Sequence, residues 1–307
     1  MRRVIGISET VFDILFRNGK PVAGVPGGSV FNGLITLGRT GINSCVISET
    51  GDDEVGHLTT GFMEQNGVAP DYVTRIPGKK SAISLAFLDE NNDAHYSFYK
   101  DYKNSTLQFT FPEIQKDDIV MFGSYYALNP VLRPKVGALL RYAREKGAIL
   151  YYDLNFRQNH SQERAELMPT ILENFSLADI VRGSSDDFRI LFDMTDDNAI
   201  WEQHIRPHCH SFIYTMGADG VRLHTDFFCR AYKSRKIQTV STVGAGDNFN
   251  AGIVYGLIRN DIKRDRIATM PAEEWDSLIG FGIEFGTEVC RSTDNYISPE
   301  FAERYRL

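Results

Sequence analysis

Short runs rich in β-branched and aromatic residues alternate along this chain with longer amphipathic segments, and that alternation narrows the fold more than any other feature. Such strands bury both faces only when helices cover them, so repeated strand and helix segments predict α/β layers around a mainly parallel sheet. The expected core strands are 3–8, 44–49, 118–122, 148–153, 179–181 and 211–215. Between them, 130–146 reads as a helix closed by Gly147, and 161–174 as another opened by the hydroxyl of Ser161.

Two stretches, approximately 12–24 and 71–100, break the alternation with short extended runs and turn residues but no helical period. In the second, 83–88 and 94–99 flank Asp89-Glu90-Asn91-Asn92-Asp93, the pattern of a β-hairpin with a polar turn. With no Pro/Ser-rich spacer in sight, the expectation is a single α/β domain over 1–307 carrying a small inserted β-sheet lid.

Composition removes several function classes. The 42% hydrophobic and 24% charged content of the 307 residues is that of a globular chain able to bury a large core. Basic residues number 33 and acidic ones 40, a formal charge of -7, which argues against sequence-blind nucleic-acid binding because that requires basic surface. No run approaches the ~20 apolar residues of a membrane helix, and Glu9 and Asp13 interrupt the N-terminal apolar stretch before it resembles a signal core. Cys45, Cys209, Cys229 and Cys290 form no C-x-x-C pair, so reduced thiols and a cytoplasmic location are expected. His204, His208 and His210 beside Cys209 lack the spacing of a zinc motif. The acidic run at Asp193, Asp196 and Asp197 reads as a solvated loop with a helix cap, and Trp201 and Trp275 read as packing residues.

The most informative string is Ser241-Thr242-Val243-Gly244-Ala245-Gly246-Asp247, which runs directly into an apolar helical segment. Amides at Gly244, Ala245 and Gly246 can face one small anion, and the helix N-terminus adds partial positive charge. Asp247 is then either an ordinary first-turn acid or a carboxylate set beside an anion site. No G-x-x-x-x-G-K-[ST], no G-x-G-x-x-G and no G-x-S-x-G is present.

Thr242-x-Gly244-Ala245-Gly246-Asp247 resembles the C-terminal signature of the ribokinase-like (PfkB) sugar kinases, and Gly27-Gly28-x-x-x-Asn32 resembles their N-terminal one. Glu9 and Asp13, Gly51-Asp52-Asp53-x-x-Gly56, Phe122-Gly123-Ser124, Asp153-Leu154-Asn155-Phe156-Arg157 and Thr215-Met216-Gly217-Ala218-Asp219-Gly220 follow in family order, so the likeness spans roughly 3–290.

The resemblance implies a ribokinase-like α/β fold and ATP-dependent phosphorylation of a primary sugar hydroxyl. It implies that Asp247 is the base, that Gly244, Ala245 and Gly246 form the anion hole, and that Arg157 faces the substrate or the transferred phosphoryl group. Asp13, Gly27, Gly28 and Asn32 would bind sugar, with Phe98 placed over it from the lid. Thr215, Gly217, Gly220 and Gly246 would meet ATP, and the helix over 278–291 would border the adenine.

Magnesium is implied with ATP, and Asp187 would hold it only through water, since Ser184 and Asp187 stand where relatives carry N-x-x-E. Ser241 replaces an aspartate that many relatives use in potassium activation, which puts potassium in doubt. A homodimer through the lid is implied as well. The segment 153–157 looks most like members acting on fructose or 2-keto-3-deoxygluconate, which makes a fructokinase-like activity the expectation, while ribose, tagatose, inositol and nucleoside kinases share the core signatures. A sugar-binding regulator without turnover is the alternative from another class, and a nicotinamide-dependent oxidoreductase lacks its glycine fingerprint.

Overall fold

The computed structural model describes residues 2–88, 94–101 and 111–307. Fourteen strands are formed among the described residues, in chain order β1 (Val4–Ile7), β2 (Val11–Arg17), β3 (Lys20–Gly27), β4 (Ser44–Gly51), β5 (Val68–Ala69), β6 (Val73–Ile76), β7 (Ile83–Leu88), β8 (Ala94–Tyr99), β9 (Ile119–Gly123), β10 (Ile149–Asp153), β11 (Ile180–Ser184), β12 (Ser211–Thr215), β13 (Val221–Thr225) and β14 (Cys229–Tyr232). The large sheet has the order β14-β13-β12-β11-β10-β9-β1-β4-β5, with β6 added beside β4. It is parallel from β12 to β5, while β13 and β14 are antiparallel additions at one edge. Each of the six expected core strands appears, with every bound within three residues of its expected place and 211–215 matched at both ends.

Period-two alternation along these strands divides the core in two. Val4, Val46, Ile119, Met121, Ile149 and Tyr151 point to one face, where they meet the helices Ser29–Arg39, Ala245–Arg259 and Ala272–Val289. Their neighbours Ile5, Ile47, Val120, Phe122, Leu150 and Tyr152 point to the other, against the helices Arg133–Glu145 and Arg164–Leu177. Full burial of both faces is why the strands read as continuous apolar runs. The helix expected over 130–146 forms at Arg133–Glu145, and Gly147 follows it at φ 79°.

The second expected helix forms at Arg164–Leu177 and has no serine cap. Ser161 lies instead in a 3-10 turn, Gln158–Glu163, where its hydroxyl accepts from Gln158 Nε2 (3.4 Å). The edge strands β13 and β14 were not anticipated. β14 is short and mostly exposed, and β13, although buried at four of its five residues, carries Arg222 and His224 within its apolar run, which weakens the signal.

A second, four-stranded sheet has the order β3-β2-β7-β8 and comprises the extended runs near 12–24 and 83–99. The stretch expected in the lid from residue 71 divides, because β6 pairs with β4 in the large sheet, whereas β7 joins β2 and β8 joins β7 in the small one. β7 and β8 are antiparallel, and the polar turn at 89–93 lies outside the described residues.

In the large sheet the chain leaves β1 for β4 on one side, whereas β9 to β12 extend on the other. The order therefore reverses between β1 and β9, and in open α/β sheets ligands bind beyond the carboxyl ends of the strands at such a reversal. β1 ends there in Ile7, and Ser8 to Thr10 lead into β2 of the small sheet, while β9 ends in Gly123.

Candidate active site

Two tight turns bring the ends of the chain's signature motifs together. Gly28, the N-cap of the helix Ser29–Arg39, has φ 140°, and a Cβ at this position would lie 2.2 Å from the carbonyl oxygen of Glu9. Only glycine allows β3 to turn into that helix so close to the end of β1. Gly244 caps the helix Ala245–Arg259 in the left-handed region (φ 77°), with a Cβ position only 2.7 Å from the carbonyl oxygen of Asn295.

The consequence is a contact between residues 215 positions apart: Asn32 Nδ2 donates to Asp247 Oδ2 at 2.8 Å. Asp247 occupies the first turn of its helix, and Asn32 the first turn of the other. Burial pushes the Asp247 carboxyl up to about 7, and the charge of Asp153 adds to this, against the Asn32 hydrogen bond and the positive charges of Arg157 and Arg182.

Asp13 projects from β2 beside Gly27, where an added Cβ would meet its Oδ2 at 2.6 Å. Ser84 Oγ donates to its Oδ1. Burial raises the Asp13 carboxyl to about 6, opposed by that hydrogen bond. In the small sheet, Val25, Asp13, Ser84 and Phe98 stand opposite one another across β3, β2, β7 and β8. Residues paired in this way share a face, so Phe98, 66% exposed, stands two strands from Asp13 on the same side. Lys100, just past β8, donates to Glu9 Oε1 (2.6 Å), which ties the small sheet to the end of β1.

The helix N-terminus departs from expectation in one respect. The Ala245 amide, expected to face an anion, donates to the carbonyl oxygen of Thr242 at 3.2 Å, closing the turn that sets Gly244. The amides of Gly244 and Gly246 have no backbone partner among the described residues and remain as donors at the start of the helix. Arg157 is exposed just beyond β10, close enough for its charge to act on Asp247.

Thr215 ends β12 and is buried, its Oγ1 accepting from Arg182 (2.6 Å). Gly217 and Gly220 lie in the following turn, where the Met216 amide donates to the Gly220 carbonyl oxygen (2.9 Å) and joins β12 to β13. Ser241 Oγ accepts from the Val243 amide (3.2 Å). The helix expected over 278–291 is the end of Ala272–Val289.

Asp187 is 4% exposed and completes a capping box, with its Oδ2 accepting from both the amide (2.6 Å) and the hydroxyl (2.8 Å) of Ser184. An oxygen so engaged does not fit a direct metal ligand, and magnesium carried on nucleotide phosphates suits this donor set better. The Asp196 carboxylate caps the short helix Asp197–Ile200, as expected of the acidic run. Among the described residues, the group with metal-ligand chemistry is Asp197, His224 and Cys229. His224 Nε2 is 2.7 Å from Asp197 Oδ2, a hydrogen bond joining that short helix to β13.

Three further groups were missed in the sequence. Ser84 gave no signal, since a serine in a half-exposed strand is unremarkable. Asn295 arrives from a loop with no motif. Arg182 did carry one, as a lone charge inside an apolar core strand.

The family profile described as pfkB family carbohydrate kinase matches residues 1–295. A protein of Arabidopsis thaliana called probable fructokinase-6, chloroplastic, is 28% identical over 244 residues, covering 77% of this chain, which spans 63% of that relative's length. Among solved structures, a fructokinase of Vibrio cholerae O395 in its fructose-, ADP- and potassium-bound form superposes with a TM-score of 0.85 at 20% identity, over 100% of this chain and 99% of the other. The aminoimidazole riboside kinase of Salmonella enterica, complexed with aminoimidazole riboside and an ATP analogue, gives 0.80 at 20% identity, over 99% of each. The profile match and the two superpositions extend over both the large sheet and the small one.

Proposed function

The chain belongs to the pfkB family of carbohydrate kinases, and on that premise we propose that it transfers the γ-phosphoryl group of ATP to a primary hydroxyl of a free sugar, fructose first among the candidates. The observation that carries the reading is the 2.8 Å contact between Asn32 and Asp247, which sets a sugar-binding amide against a carboxylate at a helix N-terminus. Asp247 takes the proton from the sugar hydroxyl, that oxygen forms the new bond to γ-phosphorus, and the bond to the β-phosphate oxygen breaks to release ADP. Phosphoryl transfer depends mainly on alignment and preorganised positive potential, which the Gly244 and Gly246 amides, the helix dipole and Arg157 supply here. Magnesium, when it arrives with ATP, neutralises phosphate charge. Thr215, Gly217 and Gly220 form the turn that meets the nucleotide, and Asp13, Gly27, Gly28 and Asn32 hold the sugar under Phe98.

The 153–157 segment suits fructose or 2-keto-3-deoxygluconate, and the fructokinases among the relatives favour fructose of the two. A coupled ADP-release assay over fructose, 2-keto-3-deoxygluconate, ribose, tagatose, inositol and nucleosides tests this. The expected result is highest kcat/KM with fructose. A faster 2-keto-3-deoxygluconate or nucleoside reaction removes fructose, and no turnover with any acceptor favours a sugar-binding regulator. Because Ser241 offers no carboxylate, the rate is expected to be equal in sodium and potassium salts, and a strong potassium requirement would mean that other oxygens hold the cation.

The small sheet exposes Val22, Phe87, Phe98 and Tyr99 and ends in the edge strands β3 and β8. Unprotected edges invite strand pairing, so a second copy of the chain is the partner proposed for this sheet. Sedimentation at micromolar concentration should give twice the chain mass, and a particle near 34.7 kDa would refute the dimer. No helix among the described residues is long and apolar enough to cross a membrane. The cytoplasmic placement rests on the four free cysteines and would fall if the protein were recovered from a secreted fraction.

A further inference from the structure

One buried charge is not accounted for by the roles above. Arg182 projects from β11 and is 8% exposed. Its Nη1 donates to Asp153 Oδ1 at 2.9 Å, at the end of β10, and its Nη2 to Thr215 Oγ1 at 2.6 Å, at the end of β12. The same guanidinium lies against the first turn of the helix Ala245–Arg259, where a Cβ on Gly246 would be 3.0 Å from Nη2 and 3.2 Å from Nη1. Asp153 extends the connection into that helix, because its Oδ2 accepts from Asn250 Nδ2 (2.9 Å), and the Tyr151 hydroxyl donates to Asn250 Oδ1 (2.8 Å).

We propose that Arg182 is a positioning residue for phosphoryl transfer, which clamps the first turn of the helix Ala245–Arg259 to the ends of β10, β11 and β12 and supplies the fixed positive charge that keeps Asp247 competent as a base. The inference rests on the proposed role of Asp247. Stability alone does not explain the arrangement, since a buried ion pair is often no better than apolar residues of the same volume. Its place beneath an anion-binding turn does explain it. In a site of low dielectric, a fixed guanidinium reinforces the helix dipole where negative charge gathers during transfer.

The charged groups around Asp247 make the effect testable. Asp153 faces it from β10, Arg157 from the loop that follows and Arg182 from β11, while the helix Ser29–Arg39 presents neutral Asn32. Asp187 adds a further negative charge near Arg182, whose guanidinium stays protonated because the carboxylates of Asp153 and Asp187 outweigh its desolvation. Loss of Arg182 leaves Asp153 unopposed, so Asp247 should hold its proton to higher pH.

The pH dependence of kcat/KM for the sugar, at saturating ATP, is to be compared for wild type, Arg182→Lys and Arg182→Met. The expected result for Arg182→Met is an acid limb moved up by about one pH unit and kcat lowered at least ~10-fold, with the limb restored by lysine. A wild-type limb and kcat in Arg182→Met would overturn the proposal even if the melting temperature fell, because a purely structural residue changes stability and leaves the limb in place. If Arg182→Met does not fold, the charge-neutral pair Asp153→Asn/Arg182→Met decides, with a depressed kcat supporting the proposal and a wild-type kcat overturning it. Asp247→Asn separates the two levels of inference. An active Asp247→Asn enzyme removes the base itself, whereas an inactive one beside an unmoved limb in Arg182→Met removes only the role of Arg182.

Discussion

Asp247→Ala is expected to lower kcat by at least ~10² while the KM for the sugar changes little, because general-base catalysis typically contributes ~10² to 10⁴ and the loss falls on the transition state. Steady-state kinetics with the preferred sugar measure it, and near-wild-type kcat would remove Asp247 from the mechanism. The environment of the carboxylate adds a second signature. Burial favours its protonated form and raises it to about 7. In the wild-type enzyme kcat/KM should therefore fall as pH drops through about 7, where the base takes up its proton.

The stability consequence has the opposite direction. A carboxyl whose folded-state value lies above its unfolded one contributes stability that is full below the unfolded value and is lost as pH rises through the folded value. Asp247→Asn removes that loss, so the unliganded variant should melt higher than wild type above pH 7. An enzyme made inactive and more stable by one substitution would mark a residue kept for chemistry rather than packing.

Asp13→Ala should act on the other side of the kinetic split. A carboxylate accepting from two sugar hydroxyls makes hydrogen bonds of roughly 1.5 to 3 kcal/mol each, so kcat/KM should fall by about 10² to 10⁴, largely through KM. Ser84 Oγ already donates to Oδ1 of this carboxylate and fixes its orientation, leaving Oδ2 on the side of Gly27. Asp13→Asn should recover part of the loss, because the amide keeps one acceptor. An unchanged sugar KM in Asp13→Ala would place the sugar elsewhere and leave Asp13 a structural residue of the small sheet.

The two variants thus divide the site between its halves, one on the small sheet and one on the helix N-terminus. How legible each half was differs for physical reasons. Gly28 and Gly244 are visible in the sequence because backbone geometry at φ 140° and 77° admits almost no other residue, so the constraint is written in the residue itself. Asp247 is visible because it follows such a glycine at the start of an apolar helix. Ser84 is not, because its importance comes from standing opposite Asp13 across two strands that the chain visits 71 positions apart. The direction of the Ala245 amide was equally hidden, since whether it points outward or to Thr242 depends on how the turn closes.

The sequence by itself determined the layered α/β core, its six central strands and the two glycine turns, because period-two burial and backbone sterics act locally and leave a local pattern. It also carried the motifs, in order, that mark the pfkB carbohydrate kinase family. Only the tertiary structure decided what surrounds the Asp247 carboxylate. Asn32, Asp153, Arg157 and Arg182 come from different elements, and their effect on Asp247 depends on distance through a low-dielectric interior, which no spacing along the chain encodes. The same holds for the strand order that reverses between β1 and β9, since pairing is chosen by the packing of the whole sheet, and such a reversal is where open α/β sheets bind ligands.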